Sequence, residues 1–502
     1  MIQKQTLIAA FLFGSAVFSG TGAAQTLRIG LADDPDTLDP TQSRTFVSAV
    51  VRAALCDRLF DIGLELEIVP QLATEWQWAD DKKGLVIKLR PGVRFHDGEP
   101  FDAAALKYNI ERHLNMPGST RKNDIKAITG VEVIGDQTAK LVLSAPFAPL
   151  LAQLAGPAGT MVSPKAAQAA GENFGAHPVC AGPYKFVERV AQDRIVVERF
   201  ADYWDKDKIK LDRIVYLPIP DTTVRLANLL SGGLDLTQVA ATDLDTVRKD
   251  PRLKFTAVDG IGYSGITINV ANGVRAKTPL GQEARVRQAL ELSIDREALN
   301  QVVFNGEYRV GNQWISPHNP YYIKDLPIPP RDVAKAKALL ATTGTPNQIV
   351  AITVPNNPVT LQVMQVVQAM AKESGFDMRI QATEFASALQ LAAKGDFEAL
   401  AVGWTGRVDP DGNIYNLVTC NSPYNDGHYC NPEVDHELDA ARTNEARAER
   451  LVHYRKVAEH LLRDLPIIYL YHPKWLYAFS ARLSGFIPYP DGVIRPQGLQ
   501  LD

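Results

Sequence analysis

Chemistry-bearing motifs are what this sequence lacks most. Four cysteines occur in 502 residues and no two are spaced CxxC, so a four-cysteine metal site has no footing. GxSxG, HExxH, a Walker loop and a Rossmann glycine triad are all missing. The SxxK match at Ser119 and Lys122 lies in the polar, loop-like "GSTRKND" without its partner motifs. The nine histidines are scattered; His428 and His436 could approach one another, yet solvated loop histidines explain them more simply than a metal pair. No catalytic residue, metal ligand or cofactor site is assigned, and covalent chemistry is not expected. An excess of charge of one sign is missing too. A net charge of -4 with no basic run gives no electrostatic reason for a nucleic-acid partner or an anionic membrane.

Long hydrophobic runs are scarce. Beyond the first two dozen residues, no stretch approaches the ~18 consecutive apolar residues of a membrane span. The start differs: Lys4 precedes "LIAAFLFGSAVF", and "GTGAA" places Gly22 and Ala24 before Gln25. That pattern reads as a signal peptide over residues 1–24, with a retained N-terminal anchor as the competing reading. No cysteine follows the apolar run, which speaks against a lipid anchor. The expectation is a soluble protein exported to the periplasm. A hydrophobic fraction of 46% and a charged fraction of 22% are ordinary for a globular chain, and the length suits two or three domains. In an oxidising compartment four cysteines favour disulfides. Cys420 and Cys430 lie close together in a Pro/Asn/Asp/Gly loop that they can close, and Cys56 and Cys180 are the remaining pair. Free buried thiols are the alternative for each pair.

What is there is a long alternation of strand and helix patterns. "TLRIGL", "DRIVVERF", "DRIVYLPI" and "LKFTAV" read as strands, "VEVIGDQTAKLVLSAP" as a hairpin about Gly-Asp, and "LVIKLRPGVRFHDGEPF" as a strand pair. "SAVVRAALCDRLFDIG" has helical spacing, and "DAAALKYNIERHL" opens on an Asp that can cap a helix. "EARVRQALELSIDREALNQVVF" reads as helix, and "RDVAKAKALLATTG" as a helix ending at Gly344. From "IVAITVP" onward, alternation continues to the strand-like "PIIYLYHPKWLYAFS". Such alternation implies α/β layers.

The segment "LATEWQWADDKKGLVIKLRPGVRFHDGEPFDAAALKYNIER" resembles the signature of the family 5 extracellular solute-binding proteins. The likeness continues through "CAGPYKFVERV", "FADYWD", "VRQALELSIDREAL" and "GWTGRVDPDGN", covering essentially the whole mature chain. The resemblance implies a periplasmic-binding-protein-like two-lobe α/β fold of three domains joined by a hinge. Domain I would comprise 25–68, 181–265 and 478–502, domain II 69–180, and domain III 266–477. The crossings near "YSGITINV" and "WLYAFS" would form the hinge. The implied function is capture of a small solute, such as a peptide or modified peptide, between the lobes. The implied partners are that ligand and the membrane permease of an ABC importer, with the protein itself monomeric. A nickel- or metal-chelate binder of the same fold is a second reading; a sensory adaptor or an enzyme is a third.

In dipeptide and oligopeptide binders the site motif reads Trp, two small residues, then an Asp that pairs with the ligand's ammonium. The matching run here is Trp404, Thr405, Gly406 and Arg407, so the acid has become a base. Arg407 either grips a carboxylate, phosphate or hydroxyl-rich group, or pairs internally with Asp409 or Asp411. Trp404 lines the cleft or fills the core. Tyr263 and Ser264 at the crossing, and Thr45 and Phe46 after the first turn, are further candidate liners. Where the dipeptide binder has an Arg for the ligand carboxylate, "VPNNPVTLQV" offers only Asn356 and Asn357 as donors. Asp409 joins the candidate set, with a turn fixed by Asp409-Pro410 as the plainer reading.

Overall fold

Capping chemistry sets the helix starts. In the computed structural model, which describes residues 25–344 and 346–502, the Asp102 carboxylate accepts from the Ala105 amide and opens the helix Ala103–Asn115. The expected signal peptide, 1–24, lies outside the described residues. Asp295 caps Arg296–Phe304 in the same way, accepting from Ala298, and so divides the single helix expected over this stretch. Its first half is Ala284–Leu292. The helix Val333–Thr342 stops two residues before Gly344, whose φ of 73° leaves the helical region.

Three sheets organise the chain. The first has seven strands, and its central strand Thr26–Leu31 runs parallel to both Arg213–Pro218 and Leu236–Gln238. The second has six strands: Tyr263–Ile268 pairs antiparallel with Ala399–Trp404 and with Ile467–His472, and Gln348–Pro355 pairs parallel with Phe376–Thr383. The third is a four-stranded antiparallel sheet that includes the expected hairpin, Ile128–Gly135 with Thr138–Leu143. Its strand Gly84–Leu89 pairs with Ala73–Trp78 and Thr138–Leu143, not with "VRF" as expected. Pro91 and Gly92 turn the chain there, and Phe95 and Phe101 go into the core edge to face, 5.8 Å apart. Helices cover the sheets, giving the expected mixed α/β class. Among the described residues no helix is long and apolar enough to cross a membrane.

The chain crosses between the seven- and six-stranded sheets twice. Leu253–Asp259 leads into Tyr263–Ile268 through residues 260–262, and Ile467–His472 leads into Lys474–Ser480 across Pro473. The expected boundaries after 265 and 477 fall inside the strands Tyr263–Ile268 and Lys474–Ser480; the chain changes sheets earlier, at Gly260–Gly262 and at Pro473, which lacks the N–H to continue a ladder. The two crossings touch: the Gly260 amide donates to the Pro473 carbonyl at 3.0 Å. Both cysteine pairs are disulfides. Cys56–Cys180 ties the end of the helix Phe46–Leu55 to a segment 124 residues away, and Cys420–Cys430 closes its short loop.

Candidate ligand-binding site

A cavity of about 380 Å³ opens where the three sheets and their loops meet. Tyr263 and Trp404 are register partners on adjacent antiparallel strands, so their side chains share one face, and both line it. Ser264, one residue on, takes the opposite face, where it is the register partner of Tyr471, and does not line the cavity. Phe46 stacks on Trp475 with ring centroids 4.7 Å apart, and the two make an apolar wall. Thr45 also lines the cavity, but its hydroxyl is committed to Asp36 at 2.7 Å.

After Trp404 the chain turns through Gly406, whose φ is 93° and where a Cβ would run into the Ile261 and Gly262 backbone. The buried side chain of Asn413 then clamps the loop. It accepts from Trp404 Nε1 at 3.1 Å and from the Arg407 amide, and donates to the Arg407 carbonyl at 2.9 Å. Arg407 is thereby held with its guanidinium 4.9 Å from the Trp404 ring centroid, against the cavity. Neither acid expected to pair with it does so. Asp409 is gripped by Arg450 through two hydrogen bonds of 2.7 Å, and Asp411 by Arg442 at 2.6 and 2.9 Å. Asp409 is thus a loop anchor and not a cavity residue. Asn356 is exposed at the end of the strand Gln348–Pro355, its amide bonded to the Thr383 carbonyl, and is no part of the wall. Asn357 caps the following helix.

Several cavity residues went unnoticed in the sequence. Arg52 lines the cavity from the helix Phe46–Leu55, with only 4% of its surface exposed, and bonds Ser43 Oγ. Its signal was there: an arginine within "VVRAAL", on a helix whose surrounding residues are apolar and buried. Arg121 lies in the loop "GSTRKND"; it pairs with Asp124 at 3.2 Å and reaches the Tyr424 hydroxyl at 3.2 Å. Asp33 and Asp426 also line the cavity.

The electrostatics of this wall are unequal. Burial first, and then the charge of Arg121, push the Arg52 guanidinium down to about 9. The same two causes, in the same order, lower Arg407. Among the described residues neither Arg52 nor Arg407 forms an ion pair, so two guanidinium groups face the cavity without a carboxylate partner. Burial pushes Asp33 and Asp426 up to about 6, opposed in the first by Arg225 and in the second by Arg44. The arrangement can bind a small polar anion; no nucleophile and base are brought together in it.

Comparison with known proteins identifies the class. Residues 67–426 match the family described as bacterial extracellular solute-binding proteins, family 5 Middle. The chain belongs to that family. It is 30% identical to the glutathione-binding protein GsiB of Pectobacterium atrosepticum, over 98% of this chain and 97% of that protein. The fold matches the dipeptide binding protein from Pseudoalteromonas sp. SM9913 in complex with Met-Leu, with a TM-score of 0.88, 22% identity, and coverage of 95% of this chain and 100% of that one. It also matches the PBP AgaA from A. tumefaciens R10 in complex with agropinic acid, with a TM-score of 0.85, 26% identity, and coverage of 95% and 99%. The chain is a substrate-binding component of an ABC importer, which captures a small solute between two lobes for a membrane permease.

Proposed function

We propose that the captured solute is a small carboxylate-bearing compound of the glutathione or opine kind, taken up from the periplasm by a monomeric receptor that catalyses nothing. One observation carries the reading: Arg52 and Arg407 face the cavity with no carboxylate partner among the described residues. Leaving buried guanidinium groups unpaired costs several kcal/mol, about the scale of removing one partner of a buried ion pair. A ligand carboxylate relieves that cost with two parallel N–H···O bonds from each planar fork. The Phe46–Trp475 stack supplies apolar surface for the rest of the molecule. The relatives named for glutathione, and the neighbour bound to agropinic acid, support the same ligand class. The same arginines oppose a bare metal cation. The expected three-domain division is retained in this reading, with the two crossings as hinge.

Isothermal calorimetry tests it with glutathione, Met-Leu and agropinic acid, each beside the analogue in which every carboxylate is a carboxamide. At least one free acid should bind and its amide should not. Equal binding of acid and amide overturns the assignment.

A further inference from the structure

The cavity contains a second kind of site, of opposite sign. Asp426 belongs to the loop closed by Cys420–Cys430, and that loop is pinned from several sides. Asn425 donates to the Thr419 and Tyr429 carbonyls, while Asn272 Nδ2 donates to the Asp426 carbonyl at 2.8 Å. The backbone of Asp426 is therefore fixed, and the residue lines the cavity. One carboxylate oxygen, Oδ1, is buried with no hydrogen-bond partner. A buried carboxylate oxygen without a partner among the described residues is destabilising; Asp34, Asp259 and Glu398 have one too, but of these four Asp426 is the one that lines the cavity.

We propose that Asp426 receives the ammonium group of the bound solute, so that the ligand is a zwitterion whose carboxylate lies at Arg52 and Arg407. The inference rests on the carboxylate reading above and adds the amine to it. It also reverses the family arrangement at the Trp motif: Arg407 takes the carboxylate there, and the ammonium moves to the disulfide loop. Three considerations support the placement. Asp426 forms no ion pair among the described residues, so its charge is available. The cation that bears most on it is Arg44, an exposed side chain whose guanidinium lies 4.8 Å from the Tyr424 ring centroid. Burial has raised Asp426 to about 6, so it is mostly ionised at neutral pH and gains from a cation placed against it. Of the other cavity acids, Asp491 is taken by Arg495, while Asp33 feels Arg225 and Glu384 and forms no ion pair among the described residues, so Asp33 is the rival position.

The test uses matched pairs on the full mature protein at pH 7.5. Glutathione is compared with glutaryl-Cys-Gly, the same molecule without its amine, and Met-Leu with its desamino counterpart. In the wild type, at least one amine-bearing member should bind about 10-fold or more tighter than its desamino partner, the scale of one hydrogen-bonded charge. Asp426→Asn should collapse that ratio to near one, with the desamino affinity little altered. The wild-type comparison needs no variant, so a misfolded Asp426→Asn cannot shield the proposal. Equal binding of both members in the wild type overturns the ammonium site and leaves the carboxylate reading standing. A ratio that survives Asp426→Asn and disappears in Asp33→Asn overturns the assignment to Asp426. If no member of either pair binds the wild type while agropinic acid does, the ammonium site falls and the carboxylate reading stands; if agropinic acid fails as well, both fall.

Discussion

Arg407 has no acid to hold it, and that decides what its removal should do. Asp409 and Asp411 are taken by Arg450 and Arg442, and among the described residues the Arg407 guanidinium bonds just the Gly406 carbonyl while lying over Trp404. Arg407→Ala should therefore weaken ligand binding by about 2–5 kcal/mol, the scale for truncating a buried charged partner. That is roughly 30-fold or more in dissociation constant. The melting temperature of the ligand-free variant should stay level or rise, because burial and Arg121 both disfavour the charged guanidinium in the empty cavity. Arg407→Lys should also lose affinity, since a point charge cannot reproduce the planar fork. Calorimetry on a ligand found by the acid and amide comparison, beside thermal melts, reads both quantities. A lower ligand-free melting temperature in Arg407→Ala would show instead that the residue holds the loop together.

At the scale of elements, the loop after Trp404 is fastened to two helices by buried ion pairs. Asp409 reaches Arg450 on Arg447–Asp464, and Asp411 reaches Arg442 on Pro432–Thr443. Arg450 keeps only 3% of its side chain exposed, so Asp409→Ala would strand a cation in the interior. The expected loss of stability is about 3–5 kcal/mol by denaturant unfolding, with weaker ligand binding as the loop loosens. Unchanged stability would mean that the pair is dispensable. This contrast with Arg407 also marks what the sequence could convey. Apolar periodicity and caps such as Asp102 made most strands and helices legible, because those signals act over a few residues. The break at Asp295 is a local signal too, but it was hidden inside a continuous helical pattern. Tyr263, Trp404, Phe46 and Arg407 could be placed at the site from motif likeness. Arg52 and Asp426 carry no such likeness: the arginine in "VVRAAL" hints at a buried charge, but that it lines this cavity is decided only when distant segments close over it. The partner of Asp409 lies 41 residues away, and the nearer Arg407 offered a more obvious pair.

At the scale of the whole molecule, hydrogen bonds beside the cavity join residues 121–148 to 415–442. Arg121 reaches the Tyr424 hydroxyl at 3.2 Å, Lys126 the Tyr415 hydroxyl at 2.9 Å, and Asn416 the Asp124 carboxylate at 3.1 Å. The Ala148 amide donates to the Arg442 carbonyl at 2.8 Å. All are polar contacts that water can replace at modest cost, and the two crossings at 260–262 and Pro473 are the proposed hinge. Closing without ligand brings Arg407 up to Arg52 and Arg121, which are both tied to Ser43; the charge of Arg121 disfavours Arg407, and that of Arg407 disfavours Arg52. A bound anion removes that repulsion, so ligand should shift the population toward the closed form. Small-angle scattering should then give a smaller radius of gyration with saturating ligand than without. If arginine repulsion is what keeps the empty protein open, Arg52→Met should move the ligand-free radius toward the bound value, since it removes one charge and keeps much of the side-chain volume. Equal radii with and without ligand in the wild type would argue for a rigid receptor. A ligand-free Arg52→Met as expanded as the wild type would leave the hinge in place and locate the opening force elsewhere than in the cavity's charge.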